Sequence, residues 1–311
     1  MKVVVAGGTG FIGAAVGRAL VAGGHEVVVL TRGSPKARGS SSGVRLVRWR
    51  PPNLGAWTSE IVGAAAVVNL AGASIGRWPW TSRRMQLLRE SRLAATRALV
   101  GALAGVPEAA RPRVLLSASG TDVYGGRDAT PAGEDTMPGT SFLARLCLDW
   151  EAAAQEAEGL GVRVVLLRTS SVIGHGAPYV RVVSLPFRLL LGGRLGTGRQ
   201  WVSWVDIEDA VALYLFALEN QAIRGPLNVS APDPRRQGAY ARALGAVLHR
   251  PARAWIPVLL LRIVLREQAT LALGSRRVWP ATALAAGYVF RRPLLEDALE
   301  AALEDALGGG P

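Results

Sequence analysis

Cysteine, histidine and lysine are scarce in this 311-residue chain, and each scarcity excludes a class of site. Cys147 is the only cysteine, so the chain can form neither an internal disulfide nor a cysteine-based metal site. The histidines His25, His175 and His249 are widely separated, which makes a histidine metal cluster improbable. We therefore expect no bound metal ion.

Long hydrophobic runs are also missing. The longest apolar run spans residues 254–264, is interrupted by Pro257 and Arg262, and falls short of the roughly 20 residues that a membrane span needs. The first residues suggest a strand followed by glycines, which is not typical of a secretory signal. We expect a cytoplasmic protein without a membrane partner.

The net charge of +13 raises the possibility of a nucleic-acid-binding protein. The basic residues are nearly all arginine, with Lys2 and Lys36 as the only lysines, which indicates a compositional bias. No block of basic residues and no nucleic-acid-binding motif stands out. We expect no nucleic-acid partner.

A glycine-rich turn follows the first apolar run, residues 3–6, and precedes a predicted helix at about residues 14–21. In a unit of this kind the glycines allow a tight turn and let a pyrophosphate approach the backbone, at a helix N-terminus that favours negative charge. The position between strand and helix makes the motif specific, although an ordinary turn is the alternative. The predicted cofactor contacts in the turn are Gly7, Thr9, Gly10, Phe11, Ile12 and Gly13.

The end of the second predicted strand, residues 26–30, indicates which dinucleotide binds. An NAD site commonly has Asp or Glu here for the ribose hydroxyls, whereas this chain has Thr31 and Arg32, with Lys36 and Arg38 close behind. A guanidinium suits a 2′-phosphate and gains little from a bare hydroxyl. We expect NADP(H) as the cofactor, in contact with Thr31 and Arg32. A solvated surface residue is the alternative for Arg32.

Three further apolar runs, residues 65–70, 113–117 and 161–167, predict strands of the same sheet. Strands that alternate with helix-length segments predict an α/β fold, a Rossmann-type doubly wound parallel sheet. Ligands of such sheets bind outside the carboxyl ends of the strands. The further cofactor contacts predicted at these ends are Leu70, Ala71, Gly72, Ser117 and Arg168.

The pattern changes near residue 226, where a proline-rich stretch precedes predicted helices around residues 240–248, 267–273 and 296–307. We expect residues 1–225 to form the Rossmann domain, with residues 170–205 contributing to the substrate side. Residues 226–307 are expected to form a small, mostly helical cap domain. Its arginines can bind an anionic substrate, or they form a solvated basic surface.

These motifs in this order resemble those of the extended short-chain dehydrogenase/reductases. The chain is more narrowly similar to the NAD(P)-dependent epimerase/dehydratase-like subfamily with a small C-terminal domain of unknown function. The resemblance implies a Rossmann fold, bound NADP(H) and a poorly defined substrate. Asp206 stands where members usually have histidine. The segments that carry the resemblance are residues 7–13, 69–72, 117–119, 142–151, 185–188, 196–201, 204–209 and 225–251.

The family's usual catalytic pair, a tyrosine with a lysine four residues later, is absent. No lysine follows Lys36, and the usual positions within residues 142–151 hold leucine or Cys147. Two candidate catalytic residues remain. Ser119, with Thr121 as its alternative, lies near the expected substrate carbonyl, and Tyr124 can supply an acidic hydroxyl. In the alternative interpretations Ser119 bonds its own loop and Tyr124 packs the loop.

Two functions from different classes follow. The first is an NADP(H)-dependent oxidoreductase or epimerase-like enzyme acting on an unidentified small molecule. The second is a non-catalytic NADP(H)-binding sensor or scaffold, which the missing catalytic pair favours. We expect a monomer or a homodimer.

Overall fold

A computed structural model describes residues 1–33, 43–126 and 130–307. Its strands are β1 (Lys2–Ala6), β2 (Glu26–Thr31), β3 (Val44–Arg48), β4 (Ala66–Asn69), β5 (Val114–Gly120), β6 (Arg163–Thr169), β7 (Ser171–Ile173), β8 (Gly193–Leu195), β9 (Trp201–Val202), β10 (Trp204–Asp206), β11 (Gly225–Val229), β12 (Arg235–Arg236) and β13 (Ala254–Ile256). Its α-helices are α1 (Phe11–Ala22), α2 (Ser82–Ala104), α3 (Phe142–Gln155), α4 (Pro178–Arg188), α5 (Ile207–Glu219), α6 (Gln237–Val247), α7 (Val258–Leu265), α8 (Ala269–Leu273), α9 (Ala281–Ala285) and α10 (Leu295–Leu307).

Seven strands form one parallel sheet in the order β11-β6-β5-β4-β1-β2-β3. The central strands are continuous apolar runs because both faces of the sheet are covered by helices. On one face α1 and α5 pack against Val3, Val5 and their neighbours. On the other face α2 and α3 pack against the alternate residues of the same strands. The predicted doubly wound Rossmann-type fold is confirmed.

The sequence from Arg77 to Arg97 predicts one long helical stretch, but helix α2 begins at Ser82, five residues after Arg77. The Thr81 side chain caps it by accepting a hydrogen bond from the Arg84 amide at 3.2 Å. The segment before the cap, which includes Trp78 and Pro79, is not helical. The helix start therefore follows the cap rather than the apolar pattern.

The C-terminal region is mostly helical and is joined to the segment that follows β6. Strands β8 and β9, which follow β6, pair with β13 and β12 of the C-terminal region. Residues 193–202 therefore form two small ladders with that region. α10 packs on α6. The boundary predicted after residue 225 needs correction, because β11 begins there and is the edge strand of the main sheet. The sheet domain thus extends at least to Val229.

Of the helices within the described ranges, none combines the length and the apolar character needed to cross a bilayer.

Candidate cofactor and active site

The glycine turn lies between the carboxyl end of β1 and the N-terminus of α1. Gly7 has a left-handed φ of +81°, and its carbonyl accepts a hydrogen bond from the Gly10 amide at 3.0 Å. A Cβ atom on Gly13 would lie 2.4 Å from the Gly7 oxygen, so only glycine permits this approach of helix to turn. A Cβ on Gly10 would meet only that oxygen, at 3.3 Å, and otherwise face open space.

The first turn of α1 has no side-chain cap, since the residue at its N-cap is Gly10. The first N–H groups of a helix have no intrahelical partner and need an acceptor. Within the described ranges the amides of Phe11, Ile12 and Gly13 have no hydrogen-bond acceptor. These amides and the open space beside Gly10 together match the requirements of a dinucleotide pyrophosphate. The residues present therefore fit the expected cofactor.

Thr31 and Arg32 lie at the carboxyl end of β2. Thr31 is buried, and its hydroxyl accepts a hydrogen bond from the Gly33 amide at 3.2 Å, which fixes the chain as it leaves the strand. Arg32 is exposed. No acidic residue occupies this strand end, so the arginine is the charged group offered to a ribose substituent. Lys36 and Arg38, which were expected to assist, lie outside the described residues.

The segment after β4, residues 70–72, is held by Asn69. The buried Asn69 amide donates to Thr96 at 2.8 Å and to Ser117 at 3.3 Å, and its oxygen accepts from the Ala71 amide at 3.2 Å. Leu70, Ala71 and Gly72 thus pass beside the glycine turn, close enough that a Cβ on Gly7 would strike the Leu70 carbonyl. The Ser117 hydroxyl is fully buried in this cluster. Its geometry supports a role in fixing the strand ends rather than a direct cofactor contact.

A buried polar network fills the space at the ends of β5, β6 and β11. The Arg168 guanidinium makes a bidentate ion pair with Glu151 of α3, at 2.9 and 2.8 Å. It also donates to the Tyr124 hydroxyl and to the Glu134 carbonyl, each at 3.0 Å. The Tyr124 hydroxyl in turn donates to the Asn228 side chain at 2.7 Å. The network joins β6, β11, α3, the turn after β5 and the loop around residue 134.

Two predicted site residues are therefore placed differently from our expectation. Arg168 is 7 % exposed and donates four hydrogen bonds within the network, so its guanidinium is committed to these partners. Tyr124 is 1 % exposed, and burial raises the pKa of its phenol to about 12. A phenol that is buried and already hydrogen-bonded is poorly suited to donate a proton to a substrate. The geometry favours structural roles for Arg168 and Tyr124, and their predicted contacts with cofactor and substrate stay predictions.

Ser119 of β5 lies opposite Arg168 in the β5–β6 ladder and is linked to the network. Its hydroxyl donates to Glu151 at 2.6 Å, a short distance consistent with a charged acceptor. Because that proton is committed, Ser119 presents lone pairs, so it can accept a hydrogen bond from a substrate hydroxyl. Glu151, which sequence reasoning did not select, is the positioning residue here. Its only sequence signal is the i, i+4 spacing of Leu143, Cys147 and Glu151 on α3.

Leu143 and Cys147 occupy the first turns of α3, where the family's tyrosine and lysine were expected. Both side chains are buried. Burial raises the pKa of the Cys147 thiol to about 12, so it stays neutral and protonated near pH 7. Neither residue replaces the missing acid–base pair.

Two arginines of α2, Arg84 and Arg92, border the same end of the sheet. Arg92 donates to the carbonyls of Ala73 and Leu88 at 3.1 and 2.9 Å, and its guanidinium lies over the Trp150 ring at 5.0 Å. Burial lowers the pKa of Arg92, and the nearby charge of Arg84 acts in the same direction. Neither arginine forms an ion pair within the described part of the chain.

The C-terminal region adds Arg276, whose guanidinium pairs with Asp122 at 2.6 Å. The cluster of Arg84, Arg92, Arg276 and Asp122 thus has three cationic groups and one anionic group. This surplus of positive charge suits a ligand that carries negative charge.

Asp206, at the position where the resemblance implies histidine, has structural contacts. It accepts a hydrogen bond from the Glu208 amide at 2.8 Å at the start of α5 and pairs with Arg292 at 3.1 Å. Burial raises its pKa. These contacts tie α5 to the C-terminal segment.

Comparison with known proteins identifies the family of this chain. A sequence profile described as "NAD dependent epimerase/dehydratase family" matches residues 3–230. The chain belongs to this family. A second profile, "Domain of unknown function (DUF1731)", matches residues 256–302. The predicted family and its C-terminal domain of unknown function are confirmed.

The relatives extend over nearly the whole chain. An epimerase family protein of Mycobacterium leprae is 34 % identical over 96 % of this chain and 94 % of its own length. The Arabidopsis thaliana "Epimerase family protein SDR39U1 homolog, chloroplastic" is 34 % identical over 98 % of this chain and 87 % of its own length. The crystal structure of human epimerase family protein SDR39U1 (isoform2) with NADPH superimposes with a TM-score of 0.87, at 32 % identity, and covers 98 % of this chain and 100 % of that chain.

Proposed function

We propose that this protein binds NADP(H) and is an oxidoreductase or epimerase-like enzyme that acts on an anionic small molecule. The observation that carries the proposal is the open glycine turn at α1 together with an exposed Arg32 where an NAD site would have a carboxylate. The human relative crystallised with NADPH supports the choice of cofactor.

Each part of the cofactor has a candidate partner. NADP(H), when bound, supplies or accepts a hydride. The amides of Phe11, Ile12 and Gly13 would bind the pyrophosphate, and Arg32 would pair with the 2′-phosphate. The backbone of residues 70–72 would lie against the nucleotide. Thr9, exposed in the turn, is a further candidate contact.

The substrate class follows from the charge beside this site. Arg92 is a partly buried cation without a carboxylate partner among the described residues, and the buried Arg84 Nε atom has no hydrogen-bond partner there. Such groups are costly unless a ligand compensates them. A carboxylate or phosphate group on the substrate would do so.

Ser119 is the candidate that would contact the reacting oxygen. Its hydroxyl oxygen can accept the proton of a substrate hydroxyl while its own proton moves to Glu151 Oε1, 2.6 Å away. In reduction the same protons move in the opposite direction. Arg168 holds Glu151 in place from its other side.

A sensor or scaffold that binds NADP(H) without chemistry is the second candidate. The observation that favours it is the neutral, buried pair Leu143 and Cys147 where acid–base groups are usual in the family. A screen of carbonyl and alcohol substrates bearing a carboxylate or a phosphate separates the two functions. Oxidation of NADPH or reduction of NADP⁺ in that screen supports the enzyme, and its absence together with tight NADPH binding supports the sensor.

Titration of NADPH and NADH, followed by quenching of tryptophan fluorescence, tests cofactor binding. Arg32→Ala should weaken NADPH binding about tenfold or more, since a charge-assisted hydrogen bond contributes roughly 1.5–3 kcal/mol. NADH binding should stay within about twofold. Arg18→Ala, an exposed arginine further along α1, is the matched control. Equal affinity for the two cofactors, or an unchanged preference in Arg32→Ala, would overturn the assignment.

We also propose a cytoplasmic location and a monomeric or homodimeric state. The single buried thiol, Cys147, is compatible with a reducing compartment. The Arabidopsis relative is named chloroplastic, so a fluorescent fusion in the native host is the appropriate test of location.

A further inference from the structure

Helix α7 is apolar and none of its residues is buried. Its sequence has seven aliphatic residues and Arg262, and Leu259, Leu260, Ile263 and Val264 are 50–69 % exposed. The helix is held in place, since the Trp78 indole donates to the Val264 carbonyl at 3.2 Å. An ordered helix with this much exposed aliphatic surface marks an interaction site.

A second group of exposed apolar residues lies on α4 and on the segment between α4 and β8. On α4 and just after it, Val182, Leu185 and residues 189–191 are 56–63 % exposed. This segment leads into β8, which pairs with β13, and β13 leads into α7. The exposed Trp255 of β13 lies between the two groups. We call these residues, together with the four of α7, the apolar face.

The charged residues in the two sequence segments that carry the apolar face are all arginines. Residues 177–205 contain four arginines and no acidic residue, and residues 234–266 contain seven arginines and no acidic residue. Arg181, Arg188, Arg262 and Arg266 are exposed within or beside the face. The next acid along the chain is Glu267.

A basic cavity adjoins the face. It measures about 370 Å³ and is lined by Arg194, Arg236, Arg242 and Arg253, with Gly198 and Gly238. Arg194 lies opposite Trp255 in the β8–β13 ladder, so the cavity and the apolar face share an edge. Four guanidinium groups around one cavity suit the phosphate of a headgroup.

We propose that the apolar face docks on the surface of an anionic phospholipid bilayer. Aliphatic side chains with an indole and a purely basic surround are the features of helices that lie in the plane of a membrane interface. A second copy of the chain fits less well, because a two-fold contact through this face would place arginines against arginines. The helix is too short to span a bilayer, about 12 Å for eight residues, so the contact is peripheral.

Co-sedimentation of the full-length protein with vesicles tests this. Phosphatidylcholine vesicles with 30 % phosphatidylglycerol should bind at least tenfold more tightly than phosphatidylcholine alone, and added salt should weaken the binding. The double variant Leu259→Asp/Ile263→Asp should lose at least tenfold in affinity, with NADPH affinity unchanged. Val289→Asp, at an exposed valine outside the face, is the matched control.

A second variant, Arg188→Glu/Arg262→Glu, keeps the test valid if the double aspartate variant does not fold, and it should also bind at least tenfold more weakly. Three results would overturn the proposal. They are equal binding to neutral and anionic vesicles, vesicle binding that neither double variant reduces, and a dimer in sedimentation velocity that the double aspartate variant dissociates without any vesicle binding. Complete competition by glycerol phosphate would reassign the basic cavity to a soluble phosphate and overturn the lipid as its occupant.

Discussion

The two ends of the sheet's carboxyl edge differ in what they offer a ligand. At β1 and β2 the edge is open, with an uncapped helix, space beside Gly10 and an exposed Arg32. At β5 and β6 the polar groups bond one another, through Glu151, Arg168 and Tyr124. Polarity at a strand end therefore does not by itself indicate a binding group, because the partners of each polar atom decide its role.

The largest expected effect is on NADPH binding at the open end, beside β1 and β2. Gly10→Val should weaken NADPH binding at least a hundredfold, because the branched side chain fills the space that the pyrophosphate needs. Its melting temperature should stay within a few degrees, since a Cβ there meets only one atom, at 3.3 Å. Gly13→Ala is the contrasting variant and should fail to fold well, because its Cβ would lie 2.4 Å from the Gly7 oxygen. Calorimetry with NADPH titration distinguishes the two.

The second expected effect concerns the chemistry at the boundary between the two ends. Ser119→Ala should lower turnover of an identified substrate about a hundredfold, as expected for loss of a proton-transfer group. NADPH affinity should stay within about twofold. The fold should persist, because Glu151 keeps its bidentate pair with Arg168. If turnover is unaffected, Ser119 is not the group that contacts the substrate oxygen.

Tyr124→Phe tests whether the closed end is structural. The variant removes the acceptor of one Arg168 hydrogen bond and the donor to Asn228, both buried. Leaving such groups unpaired should cost about 1–3 kcal/mol of unfolding free energy. Turnover per folded molecule should change less than about threefold. A hundredfold loss of turnover at unchanged stability would restore Tyr124 as a catalytic residue.

The smallest effect depends on pH. Burial raises the pKa of Tyr124 to about 12 in the folded protein, above the value near 10 of an exposed tyrosine. The stabilisation is fully present below about pH 10 and is lost as the pH rises towards 12. Between pH 9 and 11 the wild type should therefore lose about 1 kcal/mol more unfolding free energy than Tyr124→Phe. Urea denaturation of both proteins at the two pH values measures this, and parallel losses would contradict it.

Most of the sheet could be predicted because its strands are buried on both faces and read as uninterrupted apolar runs. β3 was missed, since it is an edge strand with alternating, partly exposed residues. The start of β11 was interpreted as a domain boundary because the sequence pattern changes near Pro226, ahead of a proline-rich stretch. Proline is tolerated there because β11 is at the sheet edge.

The two parts of the candidate site also differed in how well the sequence predicted them. The glycine turn could be predicted because its requirements are local, within seven consecutive residues. The network could not, because Tyr124 and Asn228 are 104 positions apart and no local pattern links them. The apolar face also escaped prediction, since a search for spanning segments does not detect a short helix that lies on a surface.

The shift in melting temperature caused by NADPH, measured side by side in the wild type, Gly10→Val and Tyr124→Phe, tests the contrast between the two ends most directly. At a hundredfold excess over Kd, NADPH should stabilise the wild type by about 2.7 kcal/mol. We predict that Tyr124→Phe begins from a lower melting temperature and shows the full shift, whereas Gly10→Val begins near the wild-type value and shows none. A full shift in Gly10→Val, or its loss in a folded Tyr124→Phe protein, would contradict the assignment of an open cofactor end and a closed structural end.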